Sequence, residues 1–354
     1  MQEKVFAIDF DEKAVRVGRT LNLIAGDGQT NVLHLNTLDY ERWDEKTKDE
    51  EWTDVYGAGW KKLRSLRAQK DQNRDFGFDI LMANPPFAGD IKETRILSKY
   101  ELARTVSLDK ISNVDPGDKN IEDATSRTPG FPEYLRVSHE KIYQLADGTY
   151  RKVKIKPQNT VSRDVLFIER NLNFIKPGGR MAIVLPQGRF NNSGDKYIRE
   201  YFADQCRILA VVGLHGNVFK PHTGTKTSVI FVQKWHETLC PKVDDYPIFF
   251  ATMREPSKDN SGDKIFVKAK DLIDWGVKKT PVTEADKPFD EAEPINHYNE
   301  TPKAAGEYVL DEHDHLVVKH DLFSHKLKNG IRTPDGIAEA FIKFAKKEKL
   351  SFFP

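Results

Sequence analysis

The chain opens on a short apolar run, Val5 to Phe10, which reads as a buried strand. From Asp11 the period changes: Ala14, Val15, Val17, Leu21 and Ile24 recur at roughly helical spacing, and Gly26-Asp27-Gly28 closes the helix as a turn. Val32 to Leu35 gives a second strand, leading into Asn36-Thr37-Leu38-Asp39. Strand, helix, strand is the rhythm of a parallel sheet. Residues 40–77 are polar and mixed in charge, carry Trp43, Trp52 and Trp60, and read as loop and short helix. Phe78 to Ala83 is a third strand that runs straight into Asn84-Pro85-Pro86-Phe87. The stretch 88–162 lacks sustained periodicity and reads as an insertion with some helix.

Order returns at Arg163, where Val165, Ile168, Leu172 and Ile175 mark one helix face that Lys176-Pro177-Gly178-Gly179 stops. A strand at Met181 to Leu185, a helix from about Asp195 to Asp204, and strands at Ile208 to Gly213 and Ser228 to Gln233 follow. The alternation predicts an α/β fold with a doubly wound, mostly parallel sheet over residues 1–236, the insertion aside. Residues 237–354 form a second, less regular region of short strands. It ends in a helix over Gly336 to Lys349 whose apolar face is Ile337, Ala338, Phe341, Phe344 and Ala345.

Composition narrows the class. Hydrophobic residues make up 38% and charged residues 31% of the 354, which suits a folded chain and not a disordered or membrane one. The longest apolar runs fall far short of the roughly 20 residues that span a bilayer. Lys and Arg total 55 against 54 Asp and Glu, a net charge of +1, so no global positive field holds a polyanion. Nucleic-acid binding would need a local patch or a partner. With only Cys206 and Cys240 there is no disulfide framework and no four-cysteine metal site, and no export signal is visible, so the expected compartment is the cytoplasm.

The sharpest chemical signal is Asn84-Pro85-Pro86-Phe87 at a strand end. In open α/β sheets, ligands bind outside the carboxyl ends of strands. The two prolines fix the backbone and remove two donors, and Asn84, preceding a proline, is held extended. The corner therefore offers the Asn84 side-chain oxygen and the Pro85 carbonyl as acceptors beside the Phe87 ring. Such a set grips an exocyclic amino group: accepting both hydrogens draws the nitrogen out of conjugation, so that its lone pair can attack a methyl group.

These residues, with Lys176-Pro177-Gly178-Gly179-Arg180-Met181-Ala182-Ile183-Val184-Leu185-Pro186 and Val211-Val212-Gly213-Leu214-His215-Gly216-Asn217-Val218-Phe219 running on to Thr223-Gly224-Thr225-Lys226-Thr227, carry a family resemblance. From Val5 to Trp235 the chain resembles the methylase subunit of type I restriction-modification systems, which are adenine N6-methyltransferases acting on DNA. The resemblance implies S-adenosylmethionine as methyl donor and a flipped adenine in double-stranded DNA as acceptor, since a paired amine is out of reach. It implies a specificity subunit and a restriction subunit as partners, so no tight sequence-specific DNA binding is expected of this chain alone. Asn84, Pro85, Pro86 and Phe87 take the catalytic roles above, and Phe219 is the candidate for the second face of the base.

Asp9, ending the first strand, would accept hydrogen bonds from the donor's ribose hydroxyls. The bland alternative is a helix N-cap, which Asp11 could equally be. Asn36 stands where related enzymes often carry an acidic residue touching the donor's adenine. The family's glycine-rich loop, which holds the donor's methionine part, precedes the Asp9 strand in relatives. Only four residues stand before Val5 here, so the chain reads as the later part of a larger enzyme. The alternative is a truncated, non-catalytic chain that keeps a partner-binding role. Gly224-Thr225-Lys226-Thr227 misses the glycine a phosphate loop needs before lysine. His313, His315, His320 and His325 match no common zinc spacing and read as solvated, and no metal is expected.

Overall fold

The computed structural model describes residues 4–26, 31–67, 73–111, 114–115, 117, 121–123, 142–144, 148–274, 308–328 and 330–350. The expected turn at Asp27-Gly28 lies outside them. In chain order the first elements are β1 (Ala7–Asp9), α1 (Glu12–Ile24), β2 (Val32–His34), α2 (Trp43–Lys46), α3 (Glu50–Arg64) and β3 (Phe78–Ala83). The stretch expected as an insertion holds β4 (Asp90–Ile91), α4 (Thr94–Leu97), β5 (Arg104–Ile111), β6 (Ile121–Asp123), β7 (Ile142–Gln144), β8 (Tyr150–Pro157) and β9 (Val161–Ser162). Then follow α5 (Arg163–Phe174), β10 (Ile175–Pro186), α6 (Gly188–Asn191), α7 (Lys196–Gln205), β11 (Cys206–Gly213), β12 (Thr227–Lys234), β13 (Phe249–Thr252), α8 (Ala269–Asp274) and α9 (Ile337–Lys347). No described helix is long and apolar enough to cross a membrane.

The chain divides into two compact units. The first takes Met1–Ile183, Arg189–Arg207 and Val232–Lys242, and the second Val184–Gly188, Ile208–Phe231 and Val243–Pro354. In the first unit β1 pairs in parallel with β2, Asp9 opposite His34, and β3 pairs in parallel with β10, Ala83 opposite Ile183. Behind them lies an aromatic core of Trp43, Trp52, Tyr56, Trp60, Phe76 and Phe174, joined by Val15, Leu33 and Leu63. The fold is α/β, and its sheet is mixed. β12 lies beside β10, with Gln233 bonded to the Gly178 carbonyl at one end and Lys226 accepting from the Gln187 N–H at the other, so the two strands run antiparallel.

Three expectations need correction. The strand read as buried over Val5 to Phe10 is short and exposed: β1 has Ala7 and Asp9 exposed, and Val5 and Phe10 beside it are exposed too. Residues 50–64, read as loop and short helix, are one long helix: Trp52, Tyr56, Gly59, Trp60 and Leu63 are its buried stripe, and the charged residues around them (Glu50, Glu51, Asp54, Lys61 and Lys62) hid the period. Asp49 caps it by accepting the Trp52 N–H at 2.8 Å. Lys176-Pro177-Gly178-Gly179 is not a turn after the helix but the bulged start of β10, with a register shift between Ile175 and Arg180. Gly178 has φ of +79°, and a Cβ on Gly179 would fall 2.9 Å from the Lys176 carbonyl and 3.0 Å from that of Phe78. Glycine here lets the two strands close up.

In the second unit β11 pairs in parallel with β13, and β12 lies on the other side of β11. Helix α9 lays Phe341, Phe344 and Ala345 against Leu209 and Phe231, with Phe249 5.6 Å from both phenylalanine rings. Its start is fixed by Glu339, whose carboxylate accepts the Gly336 N–H at 2.8 Å and the Ser324 hydroxyl at 2.8 Å. A small core of Val267, Leu272, Val309, Val317, Leu327 and Ile331 sits beneath the irregular bridges of this unit.

Candidate active site

In the first unit the candidate residues stand at carboxyl ends of strands. Asp11, not Asp9, caps α1, accepting the Ala14 N–H at 2.9 Å. Asp9 is exposed, and only its Oδ1 is engaged, by the Asp11 N–H at 2.8 Å. The cap of α1 is therefore Asp11, and among the described residues the second carboxylate oxygen of Asp9 makes no hydrogen bond. Asn36 lies two residues beyond His34, the register partner of Asp9. Its side-chain oxygen accepts the Leu38 N–H at 3.1 Å and the Asp39 N–H at 3.4 Å, so its amide N–H groups are what remain to offer. An acidic residue there would be an acceptor, whereas this asparagine is a donor suited to a purine ring nitrogen.

Sequence reading missed how firmly this turn is clamped. The Trp43 indole N–H donates to the Asn36 carbonyl at 2.7 Å, Arg170 Nε to that of Thr37 at 2.9 Å and the Tyr100 hydroxyl to that of Leu38 at 2.8 Å. Arg95 then grips the Asp39 carboxylate with both nitrogens, at 2.5 and 2.6 Å. Burial pushes the Tyr100 hydroxyl well above its ordinary pKa and so keeps it a donor. Four residues far apart in sequence thus hold four consecutive positions. No local pattern could have announced them, because each partner comes from a different element.

The Asn84-Pro85-Pro86-Phe87 corner leaves β3 as expected. Pro85 is buried and Phe87 half-buried, while Asn84 and Pro86 are exposed. Among the described residues neither the Asn84 side chain nor the Pro85 carbonyl is engaged in a hydrogen bond. The corner is braced from behind. Gly89, at φ +97°, gives its carbonyl to the Arg163 N–H at 3.0 Å, and β4 pairs with β9, Asp90 opposite Ser162. Asp164, wholly buried, is held by Arg189 at 2.8 and 3.0 Å and by the Ser162 hydroxyl, and Arg189 reaches on to Asp195 at 3.1 Å.

Phe219 lies in the second unit, half-buried. Its loop is pinned by residues 257–262: the Asn217 amide donates to the Lys258 carbonyl at 3.1 Å, and Lys258 Nζ to the Lys220 carbonyl at 2.8 Å. The region whose role the sequence left blank thus supports this loop. Gly224-Thr225-Lys226 runs directly into β12 rather than into a helix, which a phosphate loop requires. His320 and His325 meet through their Nε2 atoms at 3.0 Å, and among the described residues no group of three or more His, Cys, Asp or Glu is placed to hold a metal ion.

Residues 132–279 match the family model of the N-6 DNA methylases, a stretch that begins downstream of the Asn84 corner. The methylase subunit of the type I restriction enzyme EcoEI of Escherichia coli is 31% identical over 93 residues, covering 26% of this chain and 19% of that protein. Among solved structures, the M protein of the type I restriction enzyme EcoKI overlaps 98% of this chain and 58% of its own, at 14% identity and a TM-score of 0.38. The methyltransferase subunit of a type I restriction-modification system from Streptococcus thermophilus overlaps 65% and 34%, at 16% identity and a TM-score of 0.35. At these TM-scores the overlaps add nothing to what the strand pairings show. The chain spans less than two thirds of each of these proteins. Residues 132–279 are thus similar to the N-6 DNA methylases, and the chain resembles the methylase subunit of type I restriction enzymes.

Proposed function

We propose that the chain is the methylase subunit of a type I restriction-modification system, transferring a methyl group to N6 of an adenine flipped out of double-stranded DNA. One observation carries the reading: an uncommitted amide and an uncommitted carbonyl stand side by side on a proline-fixed corner at a strand end, next to an aromatic ring. Asn84 Oδ1 and the Pro85 carbonyl accept the two N6 hydrogens, and Phe87 stacks on the purine. S-adenosylmethionine, when bound, supplies an electrophilic methyl on a cationic sulfur. Asp9 and Asn36 fit the nucleoside half of that donor, one with a free carboxylate oxygen for a ribose hydroxyl, the other with amide N–H groups for a ring nitrogen.

Asn84 Oδ1 and the Pro85 carbonyl would hold the N6 lone pair out of conjugation and toward the methyl that the donor would supply, whose bonding pair would stay on sulfur, and the extra N6 proton would pass to water. No covalent enzyme intermediate is needed, so catalysis is positioning and electrostatics. Specificity and restriction subunits complete the assembly, in keeping with a net charge of only +1 on a chain that would handle DNA. In that assembly, Asn84→Ala abolishes transfer of labelled methyl to DNA while leaving donor binding intact; full activity in this variant would overturn the reading.

A second reading, a non-catalytic chain that only seats a partner, draws on one feature of the first unit. Ile80 and Met82 of β3 and Val17, Leu21 and Ile24 of α1 are exposed, Met82 to 82%. Calorimetry separates the two: micromolar binding of S-adenosylmethionine by this chain favours the enzyme, and absence of binding favours the partner-seating role.

A further inference from the structure

We infer that Arg163 contacts the substrate at the Asn84 corner, its guanidinium holding a DNA phosphate next to the nucleotide whose base stacks on Phe87. The inference rests on the methyltransferase reading and deepens it. After the insertion, the chain returns through β9, pairs with β4, and places Arg163 directly over the turn that follows Phe87. A Cβ on Gly89 would lie 3.2 Å from both Cζ and Nε of Arg163 and 3.5 Å from its Nη1. The φ of +97° favours glycine at 89, and the guanidinium lies close against that open backbone.

Arg163 is exposed, and among the described residues its side chain makes no hydrogen bond or ion pair. Other arginines of the first unit are committed: Arg95 to Asp39, Arg189 to Asp164 and Asp195, Arg74 to Glu169. Nor does Arg163 serve its own helix. It occupies the first turn of α5, where the helix dipole disfavours a cation, and the neighbouring Asp164 is already spoken for by Ser162 and Arg189. A planar fork of free N–H donors beside a base-gripping corner matches a phosphodiester, which accepts two of them side by side.

The test uses the full chain assembled with its partner subunits and a fluorescent duplex carrying the target site. Binding is titrated across salt concentrations for wild type, Arg163→Ala and Arg163→Lys, with KM for DNA and for S-adenosylmethionine measured alongside. Arg163→Ala is expected to weaken binding to target and non-target duplexes alike, and to lower the slope of log affinity against log salt by about 1. KM for DNA rises, KM for S-adenosylmethionine stays unchanged, and lysine restores the salt slope. Unchanged affinity and slope would overturn the inference. So would a raised KM for S-adenosylmethionine alone, because the guanidinium would then be serving the donor's carboxylate. Failure of the methyltransferase reading shows elsewhere, as normal transfer by Asn84→Ala, and leaves the salt slope to judge Arg163 by itself.

Discussion

The two ends of helix α5 carry arginines two turns apart with opposite fates. Arg170 is wholly buried. Its Nε donates to the Thr37 carbonyl, Nη1 to that of Arg74 and Nη2 to that of Asn73, and its Cζ lies 4.3 Å from the centroid of Tyr40, 5.3 Å from Trp43 and 4.1 Å from Phe174. Arg163 is exposed and has no side-chain partner among the described residues. One cation is solvated by three carbonyl dipoles and three ring faces, with no ion pair to a carboxylate among the described residues. The other is left to solvent beside the candidate active corner. The contrast separates two uses of one side chain: at the buried end it fixes where the Asn36 turn stands, and at the open end its donors remain for a ligand.

The contrast breaks most visibly at the buried end. Arg170→Ala leaves three buried carbonyls without donors and a void among three rings, and it is expected to cost about 3–5 kcal/mol of stability. Arg170→Lys is also expected to be poor, since an ammonium cannot reach three carbonyls in one plane. Burial lowers the guanidinium pKa only to about 10, so it stays charged at neutral pH and the loss should be insensitive to pH between 6 and 8. Chemical denaturation of the full chain measures it. A loss under about 1 kcal/mol for Arg170→Ala would show that the rings alone hold the turn.

Glu169, the residue before Arg170, gives a smaller and pH-dependent effect. Burial pushes its carboxyl up to about 7, against the opposing pull of the Leu102 and Glu101 N–H groups and of Arg74. A carboxyl whose folded pKa exceeds its unfolded one contributes stability that is fully present below the unfolded value near 4.5 and is lost as pH rises toward 7. Glu169→Gln removes that titration while keeping an oxygen for the Leu102 N–H, which the carboxylate now accepts at 3.0 Å. Relative to wild type, the variant should gain stability as pH is raised from 5 to 7.5. Parallel urea midpoints for the two proteins across that range would contradict the raised pKa.

Sequence pattern reached the strands and the corner because both are local. An apolar run ending in Asn84-Pro85-Pro86-Phe87 is written in ten consecutive letters, and proline geometry does the rest. Helix α5 was equally legible from Val165, Ile168 and Leu172, and α3 was not, because Trp52, Tyr56 and Trp60 are spaced among charges. The clamp on Asn36 to Asp39 was out of reach for another reason. Its donors, Trp43, Tyr100, Arg95 and Arg170, are brought together only by the fold. The same holds for Arg163, whose place over Gly89 follows from a two-residue strand pairing across the whole insertion.

The smallest stability effect belongs to the open end, and it sharpens the contrast most. If Arg163 serves a ligand and not the fold, reversing its charge should not harm the folded state. Arg163→Glu puts an anion in the first turn of α5, where the helix dipole favours it by about 0.3–1 kcal/mol, and removes a cation the dipole opposes. No ion pair is broken, because none is made among the described residues. Exposed Asp90 nearby subtracts a little through water-screened repulsion. The denaturation midpoint should therefore stay level or rise slightly, while DNA affinity falls further than for Arg163→Ala, since a carboxylate repels the phosphate that a methyl group merely ignores. A variant at least as stable as wild type and weaker on DNA fits only a residue kept for binding. A loss of 2 kcal/mol or more would place Arg163 with Arg170, as a second structural pin on the same helix.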